Sequence, residues 1–412
     1  MDIARISSDD QIQEILDWAL AGGHSLSLQG NGSKAGIGRP VTADATLDLS
    51  GLTGVELYEH AELVMKAKAG TPISDIKALL DDGGQRLAFD PPDYGPLLGG
   101  EAGLGTLGGI FSCNLSGPSR IKAGSARDHL LGVSGFTGRG QTFQTGSRVM
   151  KNVTGYDLCK LVAGSYGTLV IATSLTFKVL PRPEKIRTLL LYGTTLEAAV
   201  PILRDGLSSM HDVAAATWLP SRIAAKSAIE YVSTPGASVL ALKIEGPGPS
   251  VEFRCDAIRQ MLAAYGKVEE LHSHNSAEFW QFVGNVTAFS GVTTPVWKLS
   301  VPPANAVQIL SRLEAETGEA DFYLDWAGGL IWLQMAEDHT DGGAAQIRAA
   351  LDGAGHATLI RGSVELRGNI EPFHPQPPAI RKLTERIKDA FDPENILNPG
   401  RMYPFSTSEG KT

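Results

Sequence analysis

Thirteen glycines fall between Gly95 and Gly140, and they constrain the chain more than any other feature. No continuous helix can run through such a stretch, because each internal glycine costs roughly 1 kcal/mol against alanine. Glycine is used where backbone takes φ > 0 or must approach another body closely. The surplus is local: residues 1–180 hold 28 of the 47 glycines, and the remaining 232 residues hold 19. No three-residue period is present, which excludes a collagen-like chain. Val, Ile, Leu and Phe are plentiful, which excludes disorder. The stretch therefore reads as backbone built to touch a ligand.

The rest of the composition narrows the class. At 412 residues, two or three domains are expected. With 36 basic and 45 acidic side chains the net charge is −9, which disfavours a nucleic-acid or anionic-membrane surface. No run reaches the ~18 apolar residues that span a bilayer, so no direct membrane insertion is expected. The opening residues Met1-Asp2-Ile3-Ala4-Arg5 show no basic stretch followed by an apolar run, so no export signal is expected. The expected location is the cytoplasm, with the inner face of the membrane reached through partners. Cys113, Cys159 and Cys255 are 46 and 96 residues apart, which matches no zinc or iron–sulfur spacing. They are expected to be reduced thiols, and no metal site is expected.

Ser8 followed by Ile12, Ile15, Leu16 and Ala19 predicts a capped helix ending at Gly22-Gly23. Strands are predicted over 25–28, 45–49, 62–68 and 169–179, with a helix over 73–80. Pro181-Arg182-Pro183 then marks a boundary. Beyond it, strands over 188–192, 238–245, 297–301, 322–326, 330–335 and 358–362 alternate with helices over 196–207, 251–265, 304–317 and 344–351. That order predicts an α+β layer with helices on one face of an antiparallel sheet. Pro372, Pro375, Pro377 and Pro378 mark a linker before a helix over 380–391. The expected domains are 1–182, 183–375 and 376–412, with a polar tail after Tyr403.

Gly30-Asn31-Gly32-Ser33-Lys34 follows a predicted strand and is a candidate anion cradle, since successive N–H groups beside small side chains converge on phosphate oxygens. It lacks Walker A spacing, and an ordinary polar turn is the bland alternative. Gly103-Leu104-Gly105-Thr106-Leu107-Gly108 satisfies G-x-G-x-x-G, with Asp128 twenty residues further on. The preceding Asp90-Pro91-Pro92-Asp93-Tyr94-Gly95-Pro96 is a proline-broken loop, so the central strand of a Rossmann unit is missing. Residues 108–117, then Gly155-Tyr156-Asp157-Leu158 and Gly164-Ser165-Tyr166-Gly167-Thr168, offer further bare backbone for a long diphosphate cofactor.

Six segments in this order carry a resemblance. They are 29–34, Thr106-Leu107-Gly108-Gly109, 112–117, Arg127-Asp128-His129-Leu130-Leu131-Gly132, Lys151-Asn152-Val153-Thr154-Gly155-Tyr156-Asp157 and 164–168. Together they resemble the FAD domain of the p-cresol methylhydroxylase and vanillyl-alcohol oxidase superfamily. Asn398-Pro399-Gly400-Arg401-Met402 resembles the end of its D-2-hydroxy-acid branch. Leu115-Ser116-Gly117-Pro118-Ser119-Arg120 followed by Ala126-Arg127-Asp128 is similar to the FAD-binding subunit family of bacterial glycolate oxidases. The resemblance is strong over 1–182 and at the C-terminal motif, and weak over 185–375.

The resemblance implies a two-subdomain FAD-binding fold followed by a sheet-and-helix domain. It makes Gly30, Asn31, Gly32, Ser33 and Lys34, with Thr106, Leu107, Gly108 and Gly109, the cradle of the pyrophosphate through backbone N–H groups. Ser112, Asn114 and Gly117 would line the ribityl chain and ring, Gly167 and Ile171 the nucleotide half. Asn398 and Arg401 would close over the flavin, and Arg127, Asp128, Gly155, Tyr156 and Gly164 belong to the accompanying motifs. A valine at Gly108 would then put methyls where the diphosphate lies. Relatives that attach FAD covalently use a His in the first loop. Here His24 precedes the strand, so FAD is expected to be non-covalent. The implied reaction is glycolate to glyoxylate within a complex containing a catalytic flavoprotein and an iron–sulfur subunit. A self-sufficient D-2-hydroxy-acid dehydrogenase and a flavin-free assembly subunit are the alternatives.

The chain also departs from that pattern. The His-x-Gly-Asp-Gly-Asn-x-x-His motif of the catalytic enzymes is missing. His339-Thr340-Asp341-Gly342-Gly343 only echoes it, with Asp341 placed to cap a helix, and His272-Ser273-His274 reads as a strand–helix loop. Tyr166 stands where the family has Glu. The catalytic residues are therefore left unassigned. Arg222, Lys298, Arg361 and Arg367 are candidate partners for a substrate carboxylate, each weighed against ordinary surface charge. Arg120, Arg127 and Arg139 would serve phosphate or cap turns.

Overall fold

Leu189, Leu190 and Leu191 show why the second half contains unbroken apolar runs. Successive side chains on a strand point to opposite faces, and here both faces are covered. In the computed structural model, which describes residues 2–148, 156–317, 320–336 and 339–404, Leu189 and Leu191 pack into a core with helices Leu196–Ser208, Gly248–Ala263, Ala306–Thr317 and Ala344–Leu351. Leu190 turns the other way, into the core shared with the N-terminal half. Trp297 and Leu299 against Val296, and Ile331 and Leu333 against Trp332, repeat the division.

These strands form an eight-stranded sheet in the order Val268–His272, Lys185–Tyr192, Val239–Gly246, Ala215–Leu219, Asp321–Asp325, Leu330–Gln334, Val296–Ser300, His356–Arg361. All its pairings are antiparallel, as the α+β reading expects. Two of its strands escape the sequence analysis for physical reasons. Ala215–Leu219 opens on two alanines, which have low strand propensity. Val268–His272 is an edge strand with charged positions.

The N-terminal half carries two sheets. A parallel three-stranded sheet runs Asp2–Arg5, Ala45–Asp48, Leu26–Gln29. An antiparallel five-stranded sheet runs Val55–Glu59, Val64–Lys68, Val170–Lys178, Leu130–Thr137, Thr142–Gly146. Helix Asp9–Gly22 is capped by Ser8 and buries Ile12, Leu16 and Ala19 as predicted. The final helix, Pro378–Phe391, is held at its end by Arg139, which donates to the carbonyls of Asp389 and Ala390 at 2.9 and 2.8 Å. The chain then returns, and Leu397 bridges Leu26 in parallel. That bridge carries 398–401 to the C-terminal end of strand Leu26–Gln29.

A charged clamp joins the large sheet to the N-terminal half. Glu245 takes both guanidinium nitrogens of Arg86. Lys243 reaches Ser119 Oγ at 3.0 Å and Asp90 and Glu245 at 3.4 Å. Burial pushes the Glu245 carboxyl up, but Lys243 and Arg86 outweigh it and hold it at about 2, against an ordinary 4.5. A carboxyl lowered on folding stabilises above its unfolded value, and that stability is lost as pH falls through the folded one. Melting temperature is therefore expected to drop between about pH 4.5 and 2. Glu245→Gln should lower it at pH 7 and flatten that acid limb. A variant with the wild-type profile would remove the clamp from the account.

Candidate cofactor site

The end of strand Leu26–Gln29, helix Leu107–Ser112, strand Val170–Lys178 and the C-terminal return surround one cleft. Of the residues expected to hold the cofactor, it is lined by Gly30, Asn31, Gly32, Ser33, Lys34, Thr106, Gly108, Gly109, Ser112, Gly167, Ile171, Asn398 and Arg401.

The loop after the strand is the centre of the site. Among the described residues, the N–H groups of Gly30, Asn31, Gly32, Ser33 and Lys34 donate to no protein acceptor. Five successive free donors beside a cleft are the concavity that binds anions. Gly30 is required there: a Cβ would sit 2.7 Å from Thr106 Oγ1 and 2.9 Å from its methyl. Lys34 folds inward, 8 % exposed, with its ammonium 3.0 Å from Ser33 Oγ. Burial lowers its pKa, Cys113 and Asp93 oppose that, and Arg401 adds to it. A desolvated ammonium without a carboxylate partner favours an incoming anion.

The far wall is made by the C-terminal return. Asn398 accepts from Leu28 N at 2.8 Å and donates to Tyr166 O at 2.9 Å, and Arg401 donates to Lys34 O at 3.0 Å. Gly167, at φ +71°, leaves room for that amide, since its Cβ would lie 2.8 Å from Asn398 Nδ2. Tyr166, where the family has Glu, packs its ring against Phe373 at 4.8 Å, and burial raises its phenol. Burial also pushes the Cys113 thiol up, away from reactivity.

Other expected residues are placed elsewhere. Leu107 is a core side chain, and its N–H donates to Thr71 O at 2.9 Å. The Gly108 N–H donates to Ala69 O at 2.7 Å, and a Cβ there would meet Ala69 at 3.0 Å. The Gly109 N–H goes to Thr106 Oγ1. These amides are committed to the fold, so this segment offers the cleft its bare surface and not its donors. Asn114 accepts from Arg127 N at 2.9 Å, and Asp128 caps Ser125 at 2.8 Å. Gly117 lets the chain pass Asp90, whose carbonyl would lie 2.5 Å from a Cβ. Gly164 turns at φ +86°, and its N–H donates to Phe111 O. Tyr156 is 89 % exposed, and Gly155, with 151–154, lies outside the described residues. Four of these, Asn114, Arg127, Asp128 and Gly117, shape the loop behind the cleft without lining it.

The cleft also takes in Ser27, Leu28, Arg39, Ala69, Val170 and Ala172, which no expected site segment contains, and Gln29, Cys113 and Tyr166, which lie in expected segments without a named role. Arg39 spends its guanidinium on the carbonyls of Ile370 and Gly368 at 3.0 and 3.2 Å, a contact that sequence spacing does not signal. Among the substrate candidates, Arg222 pairs with Asp321 at 2.7 Å and Arg367 donates to Gly38 O at 2.9 Å. Arg361 is spent on the carbonyls of Thr294 and Leu97 at 2.8 and 3.0 Å. Asp341 caps its helix as expected, accepting from Gly343 and Ala345 at 3.0 and 2.8 Å.

Comparison with known proteins agrees with this geometry. Residues 3–146 match the FAD binding domain family. The 4-ethylphenol oxidase of Gulosibacter chungangensis shares the fold at a TM-score of 0.73 and 14 % identity, over 98 % of this chain and 89 % of that one. Fold, cleft and domain match define an FAD-dependent oxidoreductase. Glycolate oxidase subunit GlcE of Escherichia coli (strain K12) is 35 % identical over 95 % of this chain and 96 % of its own length. Glycolate oxidase subunit GlcD of Bacillus subtilis (strain 168) is 25 % identical over 76 % of this chain and 70 % of its own. The chain belongs to the glycolate oxidase subunit GlcE family, whose members are parts of a multi-subunit enzyme. No helix among the described residues is long and apolar enough to cross a membrane.

Proposed function

We propose that this chain is the FAD-binding subunit of a complex that oxidises glycolate to glyoxylate, and that its electrons leave through an iron–sulfur partner. The observation that carries the reading is the row of free amides from Gly30 to Lys34 beside the inward Lys34 ammonium. Those donors suit a diphosphate, the Lys34 charge offsets part of its own, and Gly109 keeps the opposite wall bare. Asn398 and Arg401 hold the C-terminal strand of backbone over the cleft. When bound, FAD supplies two-electron acceptance from a substrate and one-electron release to a partner. The cleft contains no His in the first loop, which supports non-covalent binding. In this reading 1–182 seat the cofactor, 183–375 cover it and 376–412 close it, in the cytoplasm or at the inner membrane face through the partners.

Purification of the tagged chain from its native host tests this. A yellow complex containing iron and a second flavoprotein, bleached by glycolate without oxygen, is the expected result. A chain that stays colourless after reconstitution with FAD would overturn the cofactor assignment. Bleaching of the isolated chain by glycolate would replace the complex with a self-sufficient dehydrogenase.

A further inference from the structure

Lys298 is the one candidate substrate cation that the fold leaves unspent. It lies on strand Val296–Ser300, opposite Trp332 and Thr358, on the face turned toward the N-terminal half. Its ammonium is 4.9 Å from the centroid of Trp326 and 5.9 Å from that of Trp332. Arg120 comes to the same ring from the other half of the molecule, its Cζ 4.4 Å from the Trp326 centroid. Among the described residues neither cation has an ion pair or a side-chain hydrogen bond.

Two like charges drawn to one indole and deprived of water are costly, and cation–π attraction offsets only part of that cost. Burial pushes Lys298 down to about 8, and Arg120 pushes it further the same way. The nearby acids oppose this only in part: Asp325 raises Lys298 and Asp128 raises Arg120, yet both cations stay below their ordinary values. Asp325 is turned to Trp326 N at 2.7 Å, and Asp128 to Ser125 at 2.8 Å. His356, which also senses His374 and the two cations, and His374, which senses Arg348, are held below the ordinary imidazole value by burial.

The platform itself is strained. Trp326 and Ala327 both sit in the left-handed region, at φ 51° and 54°. That conformation is unfavourable for residues with a side chain and persists where surroundings enforce it. Here the enforcing contact is the indole N–H, which donates to Gly117 O at 3.1 Å and fixes the ring between the halves. The chain connects this place to the cofactor cleft. The segment that ends at Arg120 begins with Ser112 and Cys113, which line the cleft. Tyr94, whose ring meets Trp332 edge-on at 5.9 Å, follows Asp93, which acts on Lys34.

We propose that Lys298 and Arg120, converging on Trp326, form a receptor for the carboxylate of a small organic acid, a site that rests on the reading of this chain as a 2-hydroxy-acid oxidoreductase subunit. A guanidinium fork and a point ammonium together can take both oxygens of one planar carboxylate. The flat walls of Trp326, Trp332 and Tyr94 favour a short organic acid over a heavily hydrated inorganic anion. Site and ligand are assigned here to this subunit, and not to its flavoprotein partner.

Calorimetric titration of the FAD-loaded chain with glycolate, with sulfate as comparator, tests this. Saturable glycolate binding is expected, with sulfate much weaker. Lys298→Met and Arg120→Gln should each weaken it roughly tenfold or more, the worth of one charge-assisted hydrogen bond, with flavin absorbance unchanged. Lys298→Arg, which keeps the charge, should retain most of the affinity and control for folding. Wild-type affinity in both charge-removing variants, or equal affinity for sulfate, would overturn the proposal. The same titration on colourless protein separates the two readings: loss of FAD sinks the cofactor assignment, while glycolate binding abolished by Lys298→Met still supports this site.

Discussion

Gly109→Val is expected to leave the chain folded and strip it of FAD. Gly109 lies within helix Leu107–Ser112 in ordinary helical backbone, so valine brings no φ strain, and valine is a better helix former than glycine. The added Cβ would lie 3.2 Å from Thr106 Oγ1 and 3.4 Å from Lys34 Nζ. Both methyls then reach into the cleft and push the ammonium aside, removing space and countercharge together. Affinity should fall by roughly a hundredfold, about 2.7 kcal/mol. Flavin absorbance after gel filtration, read beside an unchanged melting curve, measures it; full FAD retention would refute the cleft as the cofactor seat. Gly108→Val is the poorer test, although sequence alone favours it. Its Cβ points at Ala69, not at the cleft, so loss of cofactor there would be confounded with misfolding.

That contrast shows what the sequence can and cannot reveal. The loop from Gly30 to Lys34 is legible because it is local: a strand ends, small residues follow, and their amides are left over. The amides of Leu107 and Gly108 look equally available in the sequence, yet Thr71 and Ala69 take them from a distant part of the chain. Asn114 and Asp128 enter the expected site through the resemblance alone, but in the fold they accept from the backbone N–H groups of Arg127 and Ser125. In the second half, the alternation of Leu189, Leu190 and Leu191 between two cores is invisible as a period, since both faces are apolar. Helix Ser273–Gly284, which the sequence signals only as whatever follows the strand–helix loop at 272–274, fills the gap between halves with Phe279, Trp280 and Val283. Asn398 and Arg401 became site residues by resemblance, because only the tertiary return of the chain brings them to Leu28 and Lys34.

Lys388→Met should be strongly destabilising, and it should also weaken cofactor binding. The Lys388 side chain is 4 % exposed and its ion-pair partner Asp392 is fully buried. The ammonium also donates to Thr168 O at 2.8 Å and Leu397 O at 3.1 Å. Methionine keeps the volume and removes the charge, so Asp392 stays behind as an unpaired buried carboxylate, a loss of about 3–5 kcal/mol. Asp392 cannot simply turn away, because its two oxygens accept from Ile396 N at 3.0 Å and Leu397 N at 2.9 Å. Asp392→Asn should cost less, since the neutral amide still offers an acceptor and Lys388 keeps two carbonyls. Chemical denaturation of the two variants ranks them, and Lys388→Met unfolding at the wild-type midpoint would contradict the argument. The effect extends to FAD because one short segment does both jobs: Leu397 bridges Leu26, and the next residue, Asn398, ties Leu28 to Tyr166 across the cleft. Freeing that segment from its buried anchor loosens the wall that faces the cofactor.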